Sequence, residues 1–255
     1  MKCKTNLFGK AFMVFLVFCT VFSLNCSRSG TNAQDVPIVQ PGDSSLRLPE
    51  LKPFTATYKN VNRKNEFLGM ITTELKPGSV DAQPAFWWIC SIETQKGTIV
   101  DSIAFDPNTL APLYRSFPHS KKGYHFLKIS GNKVDGKIKP PEQEQMQSLT
   151  IQFERPIFES SLLDFVLAAL PLEKDYPVKF PYGNYSAKKL AWAFAKVKGK
   201  EQVASEEGET FDAWVVELEF SNGSKRALWI ANRAPYRVKS AGGWNWQLVQ
   251  TQVED

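Results

Sequence analysis

The chain has 255 residues, 43% of them hydrophobic, which is enough for one domain with a substantial core. Its formal charge of +5 overstates the body: Lys2, Lys4 and Lys10 crowd the N-terminus, and the other basic residues nearly balance 26 acids. Without a basic surplus there is no electrostatic footprint for a phosphate backbone, so nucleic acid is not an expected partner.

The three lysines precede an apolar run, Phe12 to Leu24, too short to cross a bilayer comfortably but suited to the core of a signal peptide over residues 1–25. Ser23-Leu24-Asn25-Cys26 follows directly. This resembles a bacterial lipoprotein leader, although Ser23 and Asn25 stand where Leu and a small residue are usual. The resemblance implies a diacylglycerol on Cys26, which holds the chain to a membrane of the cell envelope. Ser27 after the cysteine implies the outer one. Two acyl chains suffice for stable anchoring. The alternative is ordinary cleavage after Ala33, giving a soluble periplasmic or secreted protein. Past Cys26 only Cys90 remains, so no disulfide framework is implied unless an unacylated Cys26 pairs with it. Residues 26–50, polar and punctuated by Pro37, Pro41 and Pro49, are expected to be a flexible tether, with one folded domain over 51–255.

The body begins with strands over 54–59 and 66–75, then a turn at Lys76-Pro77-Gly78-Ser79. Strands over 86–94 and 98–105 follow. In the first, Trp88 and Cys90 share a face, and Cys90 reads as a buried inert hydrophobe. In the second, Asp101 lies on the face of Ile99, Ile103 and Phe105, an odd place for an acid. Asp106-Pro107 sets a turn in which the Asp106 side chain bonds forward. Further strands are expected over 113–117, 124–129, 133–138 and 149–153. A Pro- and Gly-containing loop around Pro177 and Pro181 precedes the rest. In the last group, Trp192 shares a face with Leu190 and Phe194, and Trp214 with Val216, Leu218 and Phe220. Asn222-Gly223 marks a tight hairpin.

Between these strand groups lies Ser160 to Pro171, a helix apolar almost all the way round. Such a helix has no face for water and must be enclosed. Ser161 and Asp164 have the spacing of a capping box, and Pro171 stops the helix. The expected fold is therefore mainly β: one curved antiparallel sheet of about ten to twelve strands, an incomplete barrel, closing over one plug helix.

The turn at 106–113, the helix ending in Leu170-Pro171-Leu172, and Leu228-Trp229-Ile230 before Ala234-Pro235-Tyr236-Arg237-Val238 together resemble bacterial envelope proteins related in fold to the lipoprotein carriers LolA and LolB. That resemblance implies a half-barrel with a helix on its concave face and an apolar cavity that takes acyl chains.

The sequence carries no nucleophile elbow, phosphate loop or HExxH. Its two histidines, His119 and His125, read as surface residues, so neither a metal nor a cofactor is expected. The expected protein is not an enzyme. It is an anchored envelope protein binding a hydrophobic ligand or lipid moiety, with Trp88, Phe165, Leu167, Trp192 and Trp214 as the lining. Two alternatives stand beside it: a dry core with no cavity, and an assembly lipoprotein that holds a protein partner through its sheet.

Overall fold

A computed structural model describes residues 36–94, 97–119, 123–139, 143–243 and 245–254. The leader, Cys26 and the possible cleavage point after Ala33 lie outside these residues. The described chain forms one open antiparallel sheet of 14 strands and a single short helix. In chain order the first strands are β1 (Phe54–Val61), β2 (Phe67–Val80), β3 (Gln83–Thr94), β4 (Gly97–Phe105), β5 (Pro112–His119), β6 (Gly123–Ser130), β7 (Lys133–Lys139) and β8 (Gln147–Gln152). After a 3₁₀ turn (Ser160–Leu162) and helix α1 (Leu163–Ala168) come β9 (Pro177–Asn184), β10 (Lys189–Ala204), β11 (Thr210–Phe220), β12 (Lys225–Ala231), β13 (Arg237–Ala241) and β14 (Asn245–Val253).

The order across the sheet is β8-β7-β6-β5-β4-β3-β2-β1-β14-β13-β12-β11-β10-β9. Each half is thus a simple meander, and the halves meet where β1 pairs with β14. The two edges, β8 and β9, are consecutive in the chain and are linked by the segment that holds α1.

The strand count exceeds the expected ten to twelve chiefly through β9, expected as a loop because of Pro177 and Pro181. Proline lacks the N–H that a central strand needs, but β9 is an edge. Among the described residues its outer side is met only by single bridges from Ile38 and Phe158, and the Pro181 carbonyl accepts from the Phe158 N–H at 2.8 Å. Likewise Lys76–Ser79 is not a turn: β2 runs on to Val80. The reversal falls at Asp81 and Ala82, both with positive φ, as a two-residue hairpin turn of primed type requires. Pro77 and Gly78 stay in the ladder, and Trp87 lies so close over Gly78 that an added Cβ would stand 2.7 Å from its ring.

The helix is shorter than expected but enclosed as expected: Leu163, Phe165, Val166 and Leu167 are buried. The Phe165 ring lies 5.4 Å from Phe105 and 5.3 Å from Tyr236, so it touches both halves of the sheet at once. These contacts belong to one large core that draws on both meanders. A smaller core beneath β6 to β8 joins Leu127, Ile151 and Phe153 to Tyr185. The expected capping box does not form. Among the described residues no side chain caps either helical turn: Ser161 lies inside the 3₁₀ turn, whose N-cap is Glu159, the N-cap of α1 is Leu162, and Asp164 pairs with Arg237.

Part of the expected flexible tether is bound to the body. Val39 is 3% exposed, its N–H donates to the Lys179 carbonyl at 3.0 Å, and Gly42 N–H donates to Thr109 at 2.9 Å. Arg47 N–H reaches the Ala169 carbonyl, and Leu46, Leu48 and Leu51 pack on the core. The polar composition hid these few apolar contacts, which tie the edge strand β9, the turn after β4 and the end of α1 together. That turn has the expected form, with Asn108 N–H bonded to Asp106 Oδ1 at 2.7 Å.

Close strand packing gives one local test. A Cβ on Gly136 in β7 would lie 2.2 Å from the Phe126 carbonyl oxygen. Gly136→Ala is expected to cost about 1–3 kcal/mol, read as an earlier urea midpoint.

Candidate functional site

Successive side chains of a strand alternate faces, so the inward residues near one end of several strands must converge. On β3 these are Trp88, Cys90 and Ile92; on β4, Ile99 and Asp101; on β5, Arg115 and Phe117. Facing them from the other meander are Phe220 at the end of β11, Ser224, Arg226 and Leu228 before and along β12, and Trp246 on β14. Between these walls lies a cavity of about 520 Å³. It reaches solvent near the hairpin ends, where Asn222, Ser224 and Arg226 are exposed. Ser160 and Ser161, at the start of the helical segment, form part of its lining.

The deep part of the cavity is charged. Arg115 Nη2 donates to Asp101 Oδ2 at 3.0 Å, and its Nη1 donates to Glu159, which also accepts from the Tyr185 hydroxyl. Burial disfavours the Arg115 charge, but Glu159 and Asp101 outweigh it and hold the guanidinium protonated. Asp101, 6% exposed, thus has its explanation: it is half of the anionic clamp on a buried arginine. A second pair links the plug to the sheet, with Arg237 donating to Asp164 on α1 while its guanidinium lies 4.3 Å over the Trp246 ring. Nearby, the Tyr58 hydroxyl donates to the Arg237 carbonyl at 2.9 Å. Asp101 Oδ1, Arg115 Nε, Arg237 Nε and Trp246 Nε1 have no hydrogen-bond partner among the described residues. A buried ionic layer left partly unsatisfied adds little net stability over an apolar one, so its value lies in positioning.

Asp101, Glu159 and Asp164 all have carboxyl pKa values raised by burial, which outweighs the attraction of Arg115 or Arg237. The folded chain therefore holds these protons more tightly than the unfolded one. Their contribution is full below the ordinary carboxyl pKa and is lost as pH rises through the folded values. Urea midpoints are expected to be higher at about pH 5 than at about pH 7.5. A midpoint that instead climbs steadily with pH would remove this reading of the ionic layer.

The expected lining is only partly brought together. Trp88 lines the cavity. Phe165 and Leu167 are buried in the core beneath it, as parts of the plug. Trp192 faces outward: Ala191, Ala193 and Ala195 occupy the inner face of β10, while Arg155 and Lys179 lie 5.2 and 5.5 Å over the indole. Trp214 is half-buried with Lys200 at 4.5 Å and is not part of the lining. The buried series of β11 changes phase beside it, opposite the bulge between Val197 and Gly199. The residues not foreseen, Arg115, Glu159, Arg226, Arg237 and Trp246, had one available signal. Leu113, Arg115 and Phe117 alternate on a single face, and an inward cation one strand from an inward acid is a pair.

Cys90 borders the cavity, and burial pushes its thiol up to about 12, away from nucleophile chemistry. His125, expected at the surface, is 7% exposed and lies edge-on to Phe117. The backbone of His119 pairs with Gly123 at the end of β5. Among the described residues no helix is long and apolar enough to cross a membrane.

Fold and site together define an open antiparallel β protein with an internal cavity of mixed polar and apolar lining. The chain belongs to the family described as protein of unknown function (DUF3108), whose profile matches residues 54–242. Neither the curated proteins nor the solved structures include a match to it.

Proposed function

We propose that this is a non-catalytic envelope protein that binds an amphipathic ligand, or the lipid part of another envelope molecule, between the two meanders. The observation that carries the reading is the cavity of about 520 Å³, walled by Trp88, Ile92, Ile99, Leu228 and Trp246 with a few converging polar groups. Small-molecule sites have this size and this balance of apolar wall and placed polar atoms. An open sheet over a buried helix is also what the resemblance to the half-barrel carriers leads one to expect. The ionic floor narrows the ligand: a wholly apolar molecule would face Arg115, Asp101 and Arg237 without satisfying them.

Native mass spectrometry of the full chain purified from membranes tests the reading. Co-purified amphiphile is expected. Ser224→Trp, at the exposed mouth, should reduce its occupancy while the far-ultraviolet spectrum is retained. A bare mass in both proteins would count against the cavity as a binding site. The diacylglycerol on Cys26 is tested separately: Cys26→Ala should move the chain from the membrane to the soluble fraction, and an unchanged distribution would remove the anchor.

One observation favours a second reading. The outer edge of β8, Gln147–Gln152, pairs with no strand among the described residues, whereas β9 is met by Ile38 and Phe158. A bare edge can accept a partner's strand. An empty cavity, with one partner lost when Thr150→Pro is introduced, would move the assignment to an assembly role.

A further inference from the structure

We propose that the cavity selects amphiphiles whose polar end is anionic, with Arg226 as the side chain that reads the charge. This rests on the binding reading above and narrows it to a ligand class.

Ser224, Arg226 and Leu228 follow one another on the inner side of β12, stepping from the mouth towards the interior. The two deeper arginines are already neutralised, Arg115 by Asp101 and Glu159, Arg237 by Asp164. Arg226 differs. Among the described residues it forms no ion pair, and its guanidinium rests 5.3 Å over the Phe220 ring. Although its tip is exposed, partial desolvation beside the wall and the like charge of Arg237 work against its protonated form, while Asp164 and Tyr182 favour it from a distance. Asp101 is the one acid on the lining, and Arg115 engages it. Among the described residues the mouth therefore carries one cation with no ion-pair partner, beside an apolar wall of Leu228, Ile92 and Ile99.

A carboxylate or phosphate on an alkyl chain matches both features. The guanidinium fork accepts such a group in a two-point geometry that an ammonium or hydroxyl cannot reproduce. The chain would lie along the apolar wall. A neutral alcohol of equal length keeps only the wall contacts, and a quaternary ammonium adds repulsion.

The full purified chain is titrated with dodecanoate, dodecyl phosphate, dodecanol and dodecyltrimethylammonium, each below its micelle concentration. Binding is read by calorimetry and by the fluorescence of the indoles at the cavity. The anions are expected to bind at least roughly tenfold more tightly than dodecanol, the usual return on a charged hydrogen bond. Arg226→Gln should bring the anions down to the level of dodecanol, and Arg226→Lys should restore part of the difference. Comparable binding of anion and alcohol by the native chain overturns the inference, as does an anion preference that survives Arg226→Gln. In those cases dodecanol still binds and the cavity reading stands. If none of the four binds, that reading falls as well. The dodecanoate and dodecyl phosphate arms separate a fatty-acid-like ligand from a phospholipid-like one.

Discussion

Arg115→Met is expected to lower the unfolding free energy by about 3–5 kcal/mol, the usual loss when one partner of a buried ionic cluster is removed. The reason lies in what stays behind. Asp101 and Glu159 would both remain buried with no cation, and the Tyr185 hydroxyl alone could not satisfy Glu159. Two further results distinguish this from a simple loss of packing. The deficit should shrink as the pH falls towards about 4.5, because the stranded carboxyls then take up protons and become neutral. Replacing the whole cluster, with Asp101→Leu, Glu159→Leu and Tyr185→Phe added to Arg115→Met, should recover much of the stability. Urea unfolding at two pH values measures both. A pH-independent loss, unrelieved by the fourfold variant, would mean that Arg115 acts chiefly through its aliphatic stem and its stacking 4.6 Å over Phe117.

The second large effect belongs to Phe165→Ala. Truncating a fully enclosed phenylalanine costs about 3–5 kcal/mol through lost transfer energy and the void it leaves. Phe165 is 1% exposed and touches Phe105 on β4 and Tyr236 between β12 and β13, so its loss also unlinks the plug from both meanders. A drop in the guanidinium midpoint is expected and, if the cavity binds an amphiphile as proposed, less of it should co-purify, since Ser160 and Ser161 at the cavity are carried by the same segment. A variant that keeps the native midpoint would show that the plug is held by Asp164 and Arg237 and not by its aromatic face.

Much of the architecture was legible because period-two alternation is a strong signal wherever one face is buried. Leu149 and Ile151 point inward as the pattern requires, and the enclosed helix follows from the absence of a polar stripe. The errors have two physical sources. One is the identification of the more aromatic face with the inner face. In β10 the inner face carries only small side chains, Ala191, Ala193, Ala195 and Val197, so Trp192 was turned outward, where two cations cover it. The other is the reading of proline and polar composition as loop. That rule fails wherever one side of a strand is unpaired, along the edge strand β9 and at Pro77 where β2 runs past its pairing with β1, and it missed Val39, a single buried side chain that docks a polar segment. The candidate site was less legible still, because its charges make sense only in pairs. Asp101 alone looks misplaced, and Arg115 alone looks like an exposed strand residue. Only the register of β4 against β5, with Ile103 opposite Arg115, puts the acid within reach.

The pairing of β1 with β14 carries a consequence for biosynthesis. Phe54 finds its partner in Val253, so the middle ladder of the sheet waits for the last strand to be made. At ribosomal speeds of about 5–20 residues per second, that interval is on the order of ten seconds or more. During it the eight-strand first meander exists with the β14 side of β1 unpaired, an exposed hydrogen-bonding edge that invites aggregation. The seam closes only when Trp246 and Leu248 arrive opposite Asn60 and Tyr58.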